Sequence, residues 1–169
     1  MELLVGCGNN RDKKIKVQDT PQEWCELVTM DWDEGVNPHV VHDLCMVPYP
    51  FDDDTFDEIH AYEVMEHCGA QGDWRLFFNQ FQEFWRILKP GGLFVATCPP
   101  WDSIWAWGDP GHSRVISEAS LIFLDQDNYE SQVGRTAMTD YRRWYKGNFE
   151  RLLAREQSGM FVFILRAKK

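Results

Sequence analysis

The sequence predicts a single α/β domain built on a doubly wound, mainly parallel sheet, and three observations carry that expectation. An apolar run, Leu3-Leu4-Val5, opens directly into Gly6-Cys7-Gly8-Asn9. It reads as a buried strand followed by a turn in which alternate glycines let the backbone bend sharply and approach a ligand closely. Further short apolar strands end in acids at Asp31 and Asp43. Between Gly72 and Leu88, the residues Trp74, Phe77, Phe78, Phe81, Phe84, Trp85 and Leu88 recur at three- and four-residue steps, the stripe of a helix that must cover a sheet. Strands separated by covering segments call for parallel pairing with right-handed crossovers.

Taken in order, the first strand is Leu3–Val5, and the segment Asn10 to Cys25 follows where a helix is expected. It carries Arg11-Asp12-Lys13-Lys14-Ile15-Lys16 and Asp19-Thr20-Pro21 without an apolar face, so this first helix should be short or replaced by irregular chain. A second strand runs from Glu26 to Met30, ending in acids and Gly35. A third, Val40-Val41-His42, ends at Asp43. Two prolines and three successive acids make Pro48 to Asp54 a loop. The fourth strand spans Phe56 to about Tyr62, with a helical turn from Val64 to His67. The helix from Gly72 to Leu88 is expected to stop at Lys89-Pro90-Gly91-Gly92, before a fifth strand, Leu93 to Cys98. Strand patterns return at Met138–Trp144 and Met160–Arg166.

With 169 residues, 44% hydrophobic and 14% aromatic, the chain suits one folded domain over 1–169 rather than two, and excludes wholesale disorder. No stretch is apolar enough to span a membrane, and Met1-Glu2 leads into the first strand without the pattern of a signal peptide. Five cysteines without CxxC spacing suit reduced thiols, so a cytoplasmic setting is expected. The net charge of −10 is uneven: residues 1–70 hold 4 basic and 16 acidic side chains, and 135–169 hold 9 basic and 3 acidic. An acidic shell repels phosphate backbones, which disfavours nucleic acid as a partner. Arg142, Arg143, Lys146, Arg151 and Arg155 leave one basic face, read first as solvated surface.

The glycine turn has no third glycine, because Asn9-Asn10-Arg11 follow Gly8. A pyrophosphate, which sits at a helix N-terminus in dinucleotide sites, has little to hold it, so a nicotinamide-dependent oxidoreductase is the less favoured reading. Asp31 lies about 20 residues beyond the turn, the separation at which a second strand delivers a carboxylate to ribose hydroxyls. Asp33 competes for that role. Together with the run Pro50-Phe51-Asp52-Asp53-Asp54-Thr55-Phe56-Asp57-Glu58-Ile59 through Glu63-Val64-Met65-Glu66-His67, and with Leu88-Lys89-Pro90-Gly91-Gly92-Leu93-Phe94-Val95, these features resemble the class I, Rossmann-like S-adenosylmethionine (SAM) dependent methyltransferases of the type 11 kind. The resemblance is clearest over residues 2 to 100.

The resemblance implies a seven-stranded-type sheet in a three-layer α/β/α arrangement, with an antiparallel C-terminal edge hairpin pairing Met160–Arg166 with Met138–Trp144. It implies SAM as the cofactor, its amino-acid portion over Gly6, Cys7, Gly8 and Asn9, and its ribose on Asp31. Trp32 would pack on the adenine, Asp43 with the Leu44 backbone would meet the exocyclic amine, and Tyr62 and Glu63 would flank the methylthio group. Glu66 and His67 would fix the next helix, with His67 a further candidate for cofactor contact. Glu63, His112 and Asp109 are the candidate bases for a small-molecule acceptor. The aromatic stretch Pro99 to Arg114, with Tyr141-Arg142-Arg143-Trp144, is the candidate substrate wall, and 101–145 the candidate lid region. A noncatalytic SAM-binding scaffold is the alternative. His67 and Cys68, with His39, His42 or His60, match no usual zinc spacing, and no metal is expected.

Overall fold

The computed structural model describes residues 1–169 and contains a seven-stranded sheet. Its strands are β1 (Glu2–Val5), β2 (Leu27–Asp31), β3 (Val40–Val41), β4 (Phe56–Tyr62), β5 (Leu88–Cys98), β6 (Phe149–Gln157) and β7 (Met160–Ala167). The spatial order is β3-β2-β1-β4-β5-β7-β6. The first five strands pair in parallel, and β7 joins β5 and β6 antiparallel. Chain order therefore reverses between β1 and β4, the place where an open α/β sheet leaves a crevice beyond its strand ends.

One face is covered in the ordinary way, by α1 (Trp74–Ile87). Asp73 caps it by accepting from the Leu76 amide at 3.1 Å, and the expected stripe buries Phe77, Phe78, Phe81, Phe84 and Ile87. Phe84 stacks at a tilt on Phe94 of β5, with ring centroids 4.6 Å apart. Leu121 and Leu124, in and after the short helix α3 (Glu118–Leu121), join the same cluster. Two more short α-helices, α2 (Ile104–Gly108) and α4 (Gln126–Gln132), and three 3-10 turns complete the helical content.

The opposite face has no helix between β1 and β2, in accord with the missing apolar stripe in 10–25. Ile15, Val17 and Trp24 from that irregular segment lie over Leu4, Cys7 and Tyr62 and over Leu93, Val95 and Ile164. What fastens it is polar. The Lys13 ammonium is buried 2.8 Å from Glu58 and 3.8 Å from Glu2, and donates to the Pro21 carbonyl at 2.8 Å. Glu2 in turn accepts from the Cys25 and Glu26 amides. A second line of donors runs from the Ile15 amide to the Tyr62 hydroxyl, from that hydroxyl to His60 Nδ1 at 2.6 Å, and from His60 Nε2 to Glu58 at 2.7 Å. Burial lowers the His60 pKa and pushes the Tyr62 hydroxyl up to about 12, so both stay neutral donors. Burial alone would raise the Glu58 carboxyl, but hydrogen bonds from His60 and Lys13 bring it down to about 2.

Three expectations are corrected. Lys89-Pro90-Gly91-Gly92 does not separate α1 from β5, because Leu88 ends the helix and starts the strand; the four residues are absorbed where the register shifts between the Phe56–Leu88 and Glu58–Leu93 pairs. Met138–Trp144 is not a strand: it lies in loop and turn, with Arg142 folded back onto Asp140 at 2.7 Å. The partner of β7 is β6, joined through Ser158-Gly159, both at positive φ, the backbone that a two-residue hairpin requires. Strand β2 also extends one residue further than expected, which places Asp31 at its last position. In the basic C-terminal part, Arg142 and Arg151 are paired, with Asp140 and Glu118.

Removing one partner of a buried pair leaves an uncompensated charge, at a cost of about 3–5 kcal/mol. Lys13→Met should therefore lower the unfolding free energy by about 3 kcal/mol at neutral pH, measured by urea titration. Because the Glu58 carboxyl is held at about 2 against an ordinary 4.5, its contribution is complete above pH 4.5 and vanishes as pH falls through 2. The stability gap between the wild type and Glu58→Gln should accordingly close over that window; a gap independent of pH would contradict the network.

Candidate functional site

A crevice of about 610 Å³ opens where the ends of β1, β2, β3 and β4 meet, within the size range of small-molecule sites. From β1 come Gly6 and Gly8. Gly6 has φ +56°, and a Cβ there would lie 2.9 Å from Val64 Cγ1 and closer still to Cγ2, so only glycine lets the loops after β1 and β4 touch. Gly8, at φ +48°, would point a Cβ into open space. Its backbone is thus a wall of the crevice rather than of the core.

From β2 come Asp31 and Trp32. Asp31 is 7% exposed, and its carboxylate joins two loops, accepting from the Gly8 amide at 2.9 Å and from the Asp33 amide at 3.1 Å. Asp33 instead caps the turn Glu34–Val36 by accepting from Gly35 at 2.8 Å, and is not part of the crevice wall. The structure therefore puts Asp31, and not its competitor, on the crevice. Trp32 stands at the rim, 74% exposed. After β3, Asp43 and Leu44 line the wall, and Asp43 holds its own turn by accepting from the Cys45 amide at 2.8 Å.

From β4 come Glu63 and His67. Glu63 is a non-glycine residue at φ +56°, a conformation costing on the order of 1–3 kcal/mol that persists only where surrounding structure imposes it. Here the Glu63 amide donates to the Thr97 carbonyl at 2.9 Å. Its Oε1 is buried without a hydrogen-bond partner, as are both carboxylate oxygens of Glu66 and the Thr97 hydroxyl. Burial, reinforced by the Glu63 charge, pushes the Glu66 carboxyl up to about 8.

Gly6, Gly8, Asp31, Trp32, Asp43, Leu44, Glu63 and His67 are thus brought together. Cys7, Asn9 and Tyr62, expected around the same ligand, lie outside the crevice wall. Alternate side chains of a strand share a face, so Tyr62 lies on the same face of β4 as His60 and Glu58, where it packs with Cys7 and Leu4, while Asn9 points to solvent. His112 stands beside the crevice, its ring 4.6 Å from that of His67. The His112 Nδ1 bonds the Trp105 carbonyl at 2.7 Å, and His67 Nδ1 bonds the Gly111 carbonyl at 3.1 Å. These contacts tie α2, through His112, to the crevice residue His67; Trp101, Trp105 and Trp107 are exposed and lie outside the crevice wall, Trp101 in a separate groove with Glu118 and Arg151. His42, Cys45, Val64 and Cys68 also line the crevice; the sequence marked His42 and Cys68 only as candidate metal ligands, and Cys45 and Val64 not at all. Their signal was adjacency to residues singled out for the cofactor.

Residues 3–96 match the family profile described as a methyltransferase domain. The chain belongs to that methyltransferase family. Solved structures agree in fold. A SAM-dependent methyltransferase from Archaeoglobus fulgidus superposes with a TM-score of 0.57 at 16% identity, covering 99% of this chain and 85% of that one. N-methyltransferase NodS from Bradyrhizobium japonicum, solved with S-adenosylhomocysteine, gives 0.57 at 16%, covering 99% and 78%. The [4+2]-cyclase SpnF gives 0.55 at 15%, covering 99% and 74%. No protein of curated function matches the sequence.

The two glycines make separable predictions. Gly6→Ala adds a clash of about 1–3 kcal/mol to a left-handed backbone cost of about 1–2 kcal/mol, whereas Gly8→Ala carries only the second. Urea unfolding should show Gly6→Ala the more damaging by at least about 1 kcal/mol; equal losses would contradict the Gly6–Val64 contact.

Proposed function

We propose that this protein transfers the methyl group of SAM to a small-molecule acceptor, with the crevice between β1, β2 and β4 as the cofactor site. The observation that carries the reading is the lining itself. Three carboxylates, Asp31, Asp43 and Glu63, face the crevice with no lysine or arginine among its walls. The segment after the glycine turn forms no helix whose N-terminus would receive a phosphate. Such a site suits a cationic, phosphate-free nucleoside and works against a dinucleotide. Membership in the methyltransferase family and the S-adenosylhomocysteine held by a protein of the same fold support the same ligand.

In this reading Asp31 accepts from the ribose hydroxyls while keeping its bonds to the Gly8 and Asp33 amides, since each carboxylate oxygen has a second lone pair. The bare backbone at Gly6 and Gly8 admits the amino-acid portion, Asp43 and Leu44 meet the adenine, and Trp32 closes its outer face. The unpartnered Glu63 oxygen provides negative charge for the cationic part of the cofactor. Bound SAM supplies a methyl group on a good leaving group, so the protein has chiefly to orient the acceptor and exclude water. The exposed rings of Trp105 and Trp107 on α2, which His112 ties to His67, offer an apolar wall for the acceptor. An acceptor proton, where one must leave, does so at the end of the crevice where Glu63 and His112 stand.

The same fold in SpnF carries the name of a cyclase, so the reaction is tested directly. Purified protein should bind SAM and not NAD in calorimetry, and should transfer tritiated methyl into small molecules of a cell extract; binding without transfer would support a noncatalytic role instead. Loss of charge-assisted hydrogen bonds worth about 1.5–3 kcal/mol should weaken SAM about 10- to 100-fold in Asp31→Asn. Unaltered affinity in that variant would refute the ribose assignment.

A further inference from the structure

His67 and His112 are 45 positions apart in the chain, yet the structure builds them into one unit with Glu66. The Ser113 and Arg114 amides both donate to the Glu66 carbonyl, at 3.0 and 3.1 Å, and the Ser113 hydroxyl donates to the Gly69 carbonyl. These bonds clamp the loop after α2 against the turn after β4. One ligand-type atom from each of Glu66, His67 and His112 then lies within 4.8 Å of the others.

Outer contacts orient both histidines of this trio. Both imidazoles give their Nδ1 to a backbone carbonyl, of Gly111 for His67 and of Trp105 for His112. That fixes the tautomer and leaves each Nε2 with its lone pair, the orientation that outer hydrogen bonds impose on metal-bound histidine. Glu66 is 2% exposed, and neither of its oxygens makes a regular hydrogen bond, although the Cys98 thiol and the Glu63 carboxyl stand beside it. Native proteins rarely leave such an atom without a partner. The neighbouring Glu63 Oε1 is orphaned as well, and Asp109 Oδ2 stands 3.8 Å from His112 Nε2. Three carboxyl groups and two imidazoles meet here, and no lysine or arginine lines the crevice beside them.

We propose that Glu66, His67 and His112 bind a divalent first-row transition ion beside the cofactor crevice, and that this ion receives the oxygen of a hydroxyl acceptor. Two imidazoles and a carboxylate suit ions from manganese to zinc rather than magnesium or calcium, which take oxygen ligands. With bonds of about 2.1 Å, ligands around such an ion lie roughly 3–4 Å apart, so the trio closes by small side-chain rotations. Three protein ligands leave open positions, the mark of a catalytic rather than a structural site. The proposed role rests on the methyl-transfer reading. The acceptor O–H, coordinated to the ion, loses its proton to solvent. The resulting alkoxide or phenolate attacks the methyl carbon, the C–S bond breaks with its electron pair passing to sulfur, and S-adenosylhomocysteine leaves. On this account His112 serves the acceptor through the ion, not as a base.

The metal site and the cofactor site are tested separately on the full chain. Protein stripped with EDTA and dialysed is titrated with Co²⁺, followed by visible absorption and calorimetry, and SAM binding is measured in the metal-free state. One Co²⁺ should bind per chain with visible ligand-field bands and raise the melting temperature. His112→Ala and the near-isosteric Glu66→Gln should each weaken Co²⁺ at least tenfold. No Co²⁺ binding by the wild type below millimolar concentration, or unchanged affinity in both variants, would overturn the site. SAM binding that persists in either event leaves the cofactor reading standing, whereas Co²⁺ binding without SAM binding would retain the ion and remove its proposed role.

Discussion

Everything at the working end of this molecule depends on one close approach, that of the Gly6 backbone to the Val64 side chain. No residue with a Cβ fits at Gly6, and because none is there the turn after β1 and the turn after β4 come into contact at the point where strand order reverses. Asp31 then draws the Gly8 amide toward the end of β2. Three strand ends are in this way locked around an open space. The positive φ of Glu63 follows from the same crowding: the chain leaving β4 must turn at once, and a carboxylate is left facing the crevice.

The two faces of the sheet are held by different physics. On one, α1 buries a run of phenylalanines against Phe94 and Phe163, with dispersion and apolar burial as the driving terms. On the other, a segment with few apolar residues is retained by a buried lysine, two glutamates and a histidine–tyrosine line. Ion pairs of this kind add little net stability compared with an apolar core, yet they admit one geometry and penalise others. This arrangement covers the sheet in sixteen residues, 10–25, without a helix, and it leaves the glycine turn free of the helix N-terminus that a phosphate ligand would need.

Much of this was legible in the sequence because it is written locally. The Trp74–Ile87 helix carries its apolar stripe at three- and four-residue steps, and the strand Phe56–Tyr62 is set off by the acidic, proline-containing loop before it. Asp31 is marked by its distance from the glycine turn. The failures share a cause as well. β6 is an edge strand whose side chains are mostly exposed, so it lacks the alternation that burial writes, whereas 138–144, with a strand-like sequence pattern, folds as loop and turn. Cys7 and Tyr62 neighbour crevice residues in the chain but face the other side of the sheet. The meeting of His67 and His112 is invisible to spacing, since it is created by the amides of Ser113 and Arg114 reaching the Glu66 carbonyl across the fold.

The central claim is that an adenosyl compound without phosphate occupies the space bounded by Gly8, Asp31, Asp43 and Glu63. A crystal structure of the protein grown with S-adenosylhomocysteine tests this most directly. The account requires its ribose within hydrogen-bond distance of Asp31 and its amino-acid end over Gly6 and Gly8. Saturating ligand with an empty crevice, or density for the nucleoside elsewhere on the surface, would contradict it.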